Sequence, residues 1–237
     1  MNTASNPPVD ATAGTSAAAG AAQLSGQAAA QPTAAAPPWS ADTHLPTALL
    51  LNIGHAFDHM FLLIFATAVT TIAAEFGLTR WEDLMPYSAV AFFCFGLGSL
   101  PSGKLGDHWG RRSMMLLFFF GMGAAALLAS ITGSPLQLAL ALALLGTFAS
   151  IYHPVGIPML LQGAPRPGWT IGLNGFAGNI GVALAAVVTG YLVKHFGWRS
   201  AFAVPGLVSI ACGIALTTFL VVTRLPDAHA AAGTMKG

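Results

Sequence analysis

Long apolar stretches alternate with short polar connections along most of this chain. A helix needs roughly 17 to 25 mostly apolar residues to cross the hydrocarbon core of a bilayer. The stretches of about that length lie at 45–73, 84–100, 113–131, 136–161, 171–193 and 201–222. Open strands would leave backbone groups unpaired in lipid, so helices are the expected form. The pattern predicts an all-α membrane protein with six transmembrane helices.

The composition agrees with a membrane protein. Hydrophobic residues make up 55% of the chain, charged residues only 7%, and the mean hydropathy is +0.69. A soluble helical bundle would need polar outer faces that recur with the helical period, and the run MMLLFFF at 114–120 has none. The net charge of +1 provides no basic surface for nucleic acid. We therefore expect a lipid bilayer as partner, no nucleic acid and no cofactor.

Both ends of the chain are polar. Residues 1–44 are predicted to be a disordered Ala/Pro-rich cytoplasmic tail, 45–223 the transmembrane bundle, and 224–237 a polar stub. Lys and Arg resist translocation, so they mark the cytoplasmic side. With both termini inside, the inner connections hold Lys104, Arg111, Arg112, Arg166, Arg224 and Lys236, and the outer connections hold Arg80, Lys194 and Arg199. This excess predicts that both termini are cytoplasmic.

A charged, glycine-punctuated cluster, GKLGDHWGRR at 103–112, separates the second and third stretches. Gly103 and Gly110 are expected to permit a very short turn, because glycine takes backbone angles that other residues avoid. Asp107 is expected to cap the third helix or lie beside its positive end. Arg111 and Arg112 would anchor that helix at the lipid headgroups. A hairpin that only fixes the topology is the alternative interpretation.

The cluster resembles the signature loop between the second and third helices of the major facilitator superfamily of secondary transporters. The resemblance implies one half of that fold, the N-terminal one, with six helices arranged as two inverted three-helix repeats. It also implies that 103–112 is a gating loop, whose Asp107 and Arg111 contact the other half when the cytoplasmic side closes. His108 departs from the family, which usually has arginine there.

A second likeness to the superfamily lies between the fifth and sixth stretches. The sequence GWRSAF at 197–202 resembles the G-W-R-x-x-F turn that is common at this place. An aromatic ring beside a cation suits a membrane interface, so Trp198 and Arg199 are expected to anchor the helix there.

The first helix carries four polar residues that lie within an arc of about 120°: Asn52, His55, Asp58 and His59. A carboxylate at this depth costs about 3 kcal/mol, so such a cluster is normally kept only where it faces a cavity or a partner. Histidine changes its charge near neutral pH. We predict proton coupling at Asp58, His55 and His59; mutual satisfaction of Asp58 and a histidine inside the bundle is the alternative.

The fourth helix contains the sequence Tyr152-His153-Pro154. Proline cannot donate a hydrogen bond to the preceding turn, so it is expected to kink the helix beside His153. A broken helix with a histidine suits a proton or substrate site. The combination with the first-helix histidines and Asp58 resembles the fosmidomycin-resistance branch of the superfamily, a group of drug-efflux proteins.

The fifth helix contributes two asparagines in the run NGFAGNIG at 174–181. The region resembles the superfamily's antiporter motif, although Asn179 replaces its proline. Asn52, Tyr152, Asn174 and Asn179 are the predicted substrate-binding residues. Hydrogen bonding of Asn174 and Asn179 to another helix is an equally open interpretation, and close helix packing is the favoured role of the glycines.

The spacing of His55, Asp58 and His59 also suits metal ligands, and His153 could complete such a site. No glutamate lies within the predicted spans to act as a hydrolytic base, so we expect no enzyme and no resident metal. A transition-metal ion transporter that uses His55, His59 and His153 is the alternative of this kind.

The predicted function is proton-coupled secondary transport of a small molecule across the inner membrane, with efflux as the expected direction. Superfamily transporters have two six-helix halves around a central site. The expected partner is a second six-helix half, on the same or another chain. Three explanations are open: a fragment of a longer reading frame, which we favour, a natural half that pairs with another chain, or a homodimer. A membrane scaffold subunit without a translocation path is the non-transport alternative.

Overall fold

Helices account for nearly all of the structure, a computed structural model that describes residues 41–162 and 164–223. These residues belong to one compact unit within 39–237. The helices are α1 Ala41–Glu75, α2 Met85–Trp109, α3 Arg111–Ser130, α4 Pro135–Ala149, α5 Ile157–Leu161, α6 Pro167–Phe196 and α7 Trp198–Thr223. A 3₁₀ turn, Trp81–Leu84, precedes α2, and a π-helical segment, Tyr152–Gly156, joins α4 to α5. No strand occurs in the described part of the chain.

Six of the helical stretches are long and apolar enough to span a membrane, as the hydrophobic pattern predicted. The segment from α4 through α5 forms a single span, Pro135–Leu161. The first helix differs at its start, because α1 already begins at Ala41, inside the segment assigned to the tail. The rest of the predicted tail and the predicted stub lie outside the described residues. The predicted domain boundaries therefore remain predictions.

The six spans pack as three principal pairs: α1 with α6, α2 with α4, and α3 with α7. If the first, second and third spans exchange places with the fourth, fifth and sixth, the α1–α6 pair becomes the α2–α4 pair. The α3–α7 pair is unchanged by this exchange. This is the pairing expected of two three-helix repeats, so the fold is that of a six-helix half.

Small residues let the paired helices approach closely. A Cβ at position 181 on α6 would lie 2.1 Å from the carbonyl oxygen of Ala56 on α1. A Cβ at position 146 on α4 would lie 2.0 Å from the carbonyl oxygen of Ala91 on α2. Glycine is therefore required at Gly181 and Gly146 by backbone contact.

The apolar core is centred on α3, where Met115, Phe118 and Phe119 are fully buried. The outer surface is apolar as well: Phe93 and Leu100 on α2 are 66% and 78% exposed. A surface of this kind suits contact with lipid chains, since apolar side chains lose nothing by facing hydrocarbon.

At one end of the bundle, which we call the Glu75 end, side chains join three chain segments. The indole Nε1 of Trp198 donates a hydrogen bond to Glu75 Oε2 over 2.6 Å. Arg199 forms an ion pair with Glu75 and donates to the carbonyl oxygen of Thr132, 2.8 Å away. Trp198 is only 1% exposed, so its ring packs against protein, and its anchoring role at the membrane interface stays a prediction. Glu75, whose side chain is 46% exposed, provides the acceptor for the indole N–H, and the rest of the ring packs inside the bundle.

At the opposite end, the predicted loop at 103–112 is almost entirely helical. Gly103 lies within α2, and the turn between α2 and α3 consists of Gly110, whose φ is 88°. Of the two predicted turn glycines, only Gly110 serves that purpose. Asp107 does not cap α3, because it belongs to the last turn of α2; it lies beside the start of α3, the other predicted arrangement, and pairs with Arg111 at 3.7 Å.

Candidate functional site

Three helical segments bring the predicted polar residues together. The face of α1 with Asn52, His55, Asp58 and His59 packs against α6 and the π-helical segment. Pro154 interrupts the fourth span as predicted, and the resulting π-helical turn carries Tyr152 and His153. A π turn is wider than an α turn and is common at functional sites.

Asp58 and His153 meet at the centre of this cluster. Asp58 is fully buried, and the Nε2 atom of His153 lies 3.2 Å from its Oδ2. Within the described residues, neither carboxylate oxygen receives a well-formed hydrogen bond. The side chain of His153 is 39% exposed. His153 therefore lies between a buried carboxyl group and the surface of this bundle.

The two α1 histidines form a separate chain of hydrogen bonds. The Nε2 atoms of His59 and His55 are 3.1 Å apart. The other ring nitrogen of His55, Nδ1, lies 2.7 Å from the backbone carbonyl oxygen of Asn174 on α6. His55 is 5% exposed, and its ring stacks on Tyr152 with a centroid distance of 4.8 Å.

Three of the predicted substrate-binding residues form one hydrogen-bond network. The amide nitrogen of Asn174 donates to Asn52 Oδ1 over 3.0 Å and to the Tyr152 hydroxyl over 2.7 Å. That hydroxyl donates to the carbonyl oxygen of Leu51 over 2.7 Å. Tyr152 and Asn174 are 0% and 3% exposed. In this conformation the network joins α1, the π segment and α6.

The remaining predicted site residues lie elsewhere. Asn179 is exposed on α6 and donates to the carbonyl oxygen of Gly175 in its own helix, 3.0 Å away. The structure therefore does not bring Asn179 into the cluster. The gating residues Asp107, Gly110, Arg111 and Arg112 lie at the junction of α2 and α3, with Gly103 nearby in α2.

Sequence reasoning missed two residues that shape the arrangement. At Gly178 on α6, an added Cβ would lie 2.9 Å from Cε1 of His55 and 3.0 Å from Cδ2 of His59. Glu75 was not identified as the partner of Trp198 and Arg199. The available signal for Gly178 was its place in the glycine-rich run of the fifth helix, but no pattern showed which side chain it faces.

One ring nitrogen each of His55, His59 and His153 lie within 4.8 Å of one another, close enough to be considered as ligands of one ion. The hydrogen bonds argue against a ready ligand set, because Nε2 of His59 and Nε2 of His55 share a proton between them. An ion would have to displace this proton first. We therefore do not assign the three histidines as metal ligands.

Comparison with known proteins identifies the family. Residues 51–236 match the family described as Major Facilitator Superfamily. The tetracenomycin C resistance and export protein of Streptomyces glaucescens is 25% identical over 201 residues, which are 83% of this chain and 36% of that protein. The niacin transporter NiaP of Acinetobacter baylyi is 26% identical over 192 residues, 78% of this chain and 41% of that protein.

A third relative, the multidrug resistance protein MdtG of Yersinia enterocolitica, is 28% identical over 153 residues, 62% of this chain and 36% of that protein. The chain thus spans 36–41% of the length of these three curated relatives. These three relatives are named as a transporter or as export and resistance proteins. Because the family match covers most of the chain and six apolar helices pair as in a three-plus-three repeat, this multi-pass membrane protein belongs to the Major Facilitator Superfamily.

Proposed function

We propose that this chain forms one half of a proton-coupled transporter that moves a small organic molecule out across the inner membrane, with both termini in the cytoplasm. The second six-helix half, on the same or another chain, completes the path. We infer the outward direction of transport from the resemblance of the chain to drug-efflux proteins. Two relatives named for export or drug resistance support it.

The buried carboxyl group of Asp58 is the observation that carries the proton coupling. Neither of its oxygens receives a well-formed hydrogen bond from the described residues, and the group lies in a helix long and apolar enough to span the membrane. Ionisable groups inside membrane spans are rare and mark proton relays or substrate and ion pathways, among other functions. His153, whose Nε2 lies 3.2 Å from Oδ2, can pair with the ionised form.

The proposed coupling cycle uses this contact. When Asp58 is ionised, protonated His153 compensates its charge; when Asp58 binds a proton, that pairing weakens and the π-helical segment is free to move relative to α1. His55 and His59 lie beside the pair, with centroids 5.1 Å and 5.9 Å from that of His153. The fourth span thereby couples the protonation state of Asp58 to helix position.

For the substrate path, we propose the surface around Asn52, Tyr152 and Asn174, with Asn179 as a separate exposed contact. The first three are hydrogen-bonded to one another in this conformation, so substrate would bind by exchanging some of these bonds. Exchange of this kind fits alternating access, in which the polar contacts of one state are replaced in the other.

We also propose that the α2–α3 junction is the cytoplasmic gate. The side chains of Asp107 and Arg111 are 70% and 33% exposed, so both can contact helices of a second half. Gly103 and Gly110 lie on either side of Asp107, and Arg112 follows Arg111 in the first turn of α3.

The test is flux in vesicles that contain this chain with and without a matching second six-helix half. Tetracenomycin C and niacin serve as probes, with an imposed pH gradient as the driving force. The proposal expects gradient-driven flux only with both halves, and its loss in the Asp58→Asn variant. Asp83→Asn, in the exposed connection between α1 and α2, is the matched control and should retain flux.

Three outcomes would contradict the proposal. Gradient-driven flux that persists in Asp58→Asn removes this residue from the coupling. Flux that does not respond to the gradient excludes proton coupling. If no flux is measured either with or without the second half, a scaffold subunit is favoured.

A transition-metal ion is the second candidate cargo, favoured by the proximity of the three histidine rings. The measurement is zinc and copper binding by the purified chain. Stoichiometric binding that is lost when His55 and His59 are both replaced by alanine would support metal transport, and absence of binding would exclude it.

A further inference from the structure

The hydrogen bonds of His55 determine which of its ring nitrogens carries a proton. A backbone carbonyl oxygen only accepts, so His55 Nδ1, 2.7 Å from the Asn174 carbonyl, must be the N–H donor. In the neutral ring, Nε2 then holds a lone pair. That atom lies 3.1 Å from His59 Nε2, so His59 must donate through its own Nε2–H.

Packing holds the two rings in these positions. Tyr152 stacks on one face of His55 with an interplanar angle of 12°. At the edge of the rings, Gly178 leaves just enough room: a Cβ there would come within 3.0 Å of His55 Nε2 and of His59 Cδ2. The pair is thus enclosed by α1, the π-helical segment and α6.

We propose that Gly178 and the Asn174 carbonyl hold His55 and His59 as a pair with fixed tautomers that positions α1 against α6, and that Asp58 and His153 alone exchange the transported proton. The second part rests on the proposed function; the first part does not. Gly178 and Asn174 are positioning residues, because they act through the two rings.

The chain of hydrogen bonds ends at a group that cannot pass a proton on. A proton relay through His55 would release a proton from Nδ1, but the acceptor there is an amide carbonyl, which accepts a hydrogen bond without becoming a useful base. Asp58 is the opposite case, because the ring of His153, 3.2 Å from its Oδ2, is partly exposed. The cluster therefore contains one fixed pair and one exchanging pair.

The experiment is ¹⁵N NMR of histidine-labelled full chain in lipid nanodiscs at neutral pH, where the shifts of the ring nitrogens report the tautomer. The chain has seven histidines, so His55→Gln and His59→Gln variants suffice to assign the two signals. The expected result is the Nδ1–H tautomer for His55 and the Nε2–H tautomer for His59. A His55 ring that is protonated at Nε2, at both nitrogens, or averaged between tautomers would overturn the assignment.

A pair of glycine variants tests the positioning role. Gly178→Ala should displace the rings and convert both signals to averaged tautomers. The matched control is Gly175→Ala on the same helix, where an added Cβ meets nothing within 4 Å and both signals should persist. Unchanged tautomers in Gly178→Ala would overturn the role of Gly178.

The Asp58→Asn variant separates this inference from the proposed function. We expect it to keep both tautomers while losing gradient-driven flux. If the tautomers are as assigned but Asp58→Asn still couples flux to protons, the proposed function fails and the fixed pair stands.

Discussion

The indole nitrogen of Trp198 donates a 2.6 Å hydrogen bond to Glu75, 123 residues earlier in the chain. The contact joins the first residue of α7 to the last residue of α1, and Arg199 extends it to the Thr132 carbonyl in the α3–α4 connection. Two adjacent residues of one turn therefore connect three of the chain segments at the Glu75 end.

Replacement of Glu75 by alanine should destabilise the bundle. The buried Trp198 N–H loses its acceptor, which costs about 1–3 kcal/mol. Thermal unfolding in detergent micelles measures the effect, and Glu75→Gln, which keeps an acceptor oxygen, should lose less. Glu82→Ala is the control, since Glu82 pairs only loosely with exposed Arg80 at 3.9 Å. Equal stability of the alanine variants at 75 and 82 would contradict this role of the contact.

The α1–α6 contact makes a second prediction about stability. A methyl group at position 181 meets the Ala56 backbone 2.1 Å away, so Gly181→Ala must separate the two helices, at a cost of about 1–3 kcal/mol. Gly190→Ala, on the same helix but in open space, should be neutral or slightly stabilising. The comparison uses the same thermal unfolding assay, and a Gly181→Ala variant as stable as the control would show that the helices do not pack this closely.

The two asparagines of α6 should differ in their effects. Asn174→Ala removes bonds to Asn52 and Tyr152, each worth about 0.6 kcal/mol in membrane proteins, and should lower the unfolding temperature. Asn179→Ala removes only a bond within its own helix and should leave stability unchanged. Equal losses would mean that Asn179 has a partner that this conformation does not show.

The gate proposal predicts a kinetic effect without a stability effect. Asp107 and Arg111 form an exposed pair at 3.7 Å, and such pairs contribute about 0–1 kcal/mol. Asp107→Ala should therefore unfold at the same temperature as the unaltered protein while slowing the exchange between inward-open and outward-open states. Single-molecule fluorescence on the two assembled halves follows this exchange, with Asp83→Ala as control. An unaltered exchange rate would reduce the α2–α3 junction to a topology anchor.

Much of the fold follows from the sequence, because the length and apolarity of a span are local properties. The six spans, the single-residue turn at Gly110 and the break at Pro154 all depend on residues close together in the chain. The 3.6-residue period also predicted that His55, Asp58 and His59 share one face of α1. Bilayer thickness and backbone chemistry act on each segment separately. A span can therefore be predicted without knowing which other helices it contacts.

Which helices meet, and what each polar side chain then contacts, was decided only by the tertiary structure. No local pattern shows that Trp198 is buried against Glu75, that Asn179 points away while Asn174 joins the cluster, or that Gly178 faces the histidine pair. These contacts link residues up to 123 positions apart and depend on how each helix is rotated about its axis. That rotation is set by close packing of small residues such as Gly181 against Ala56, a property of pairs of helices that neither sequence segment contains alone.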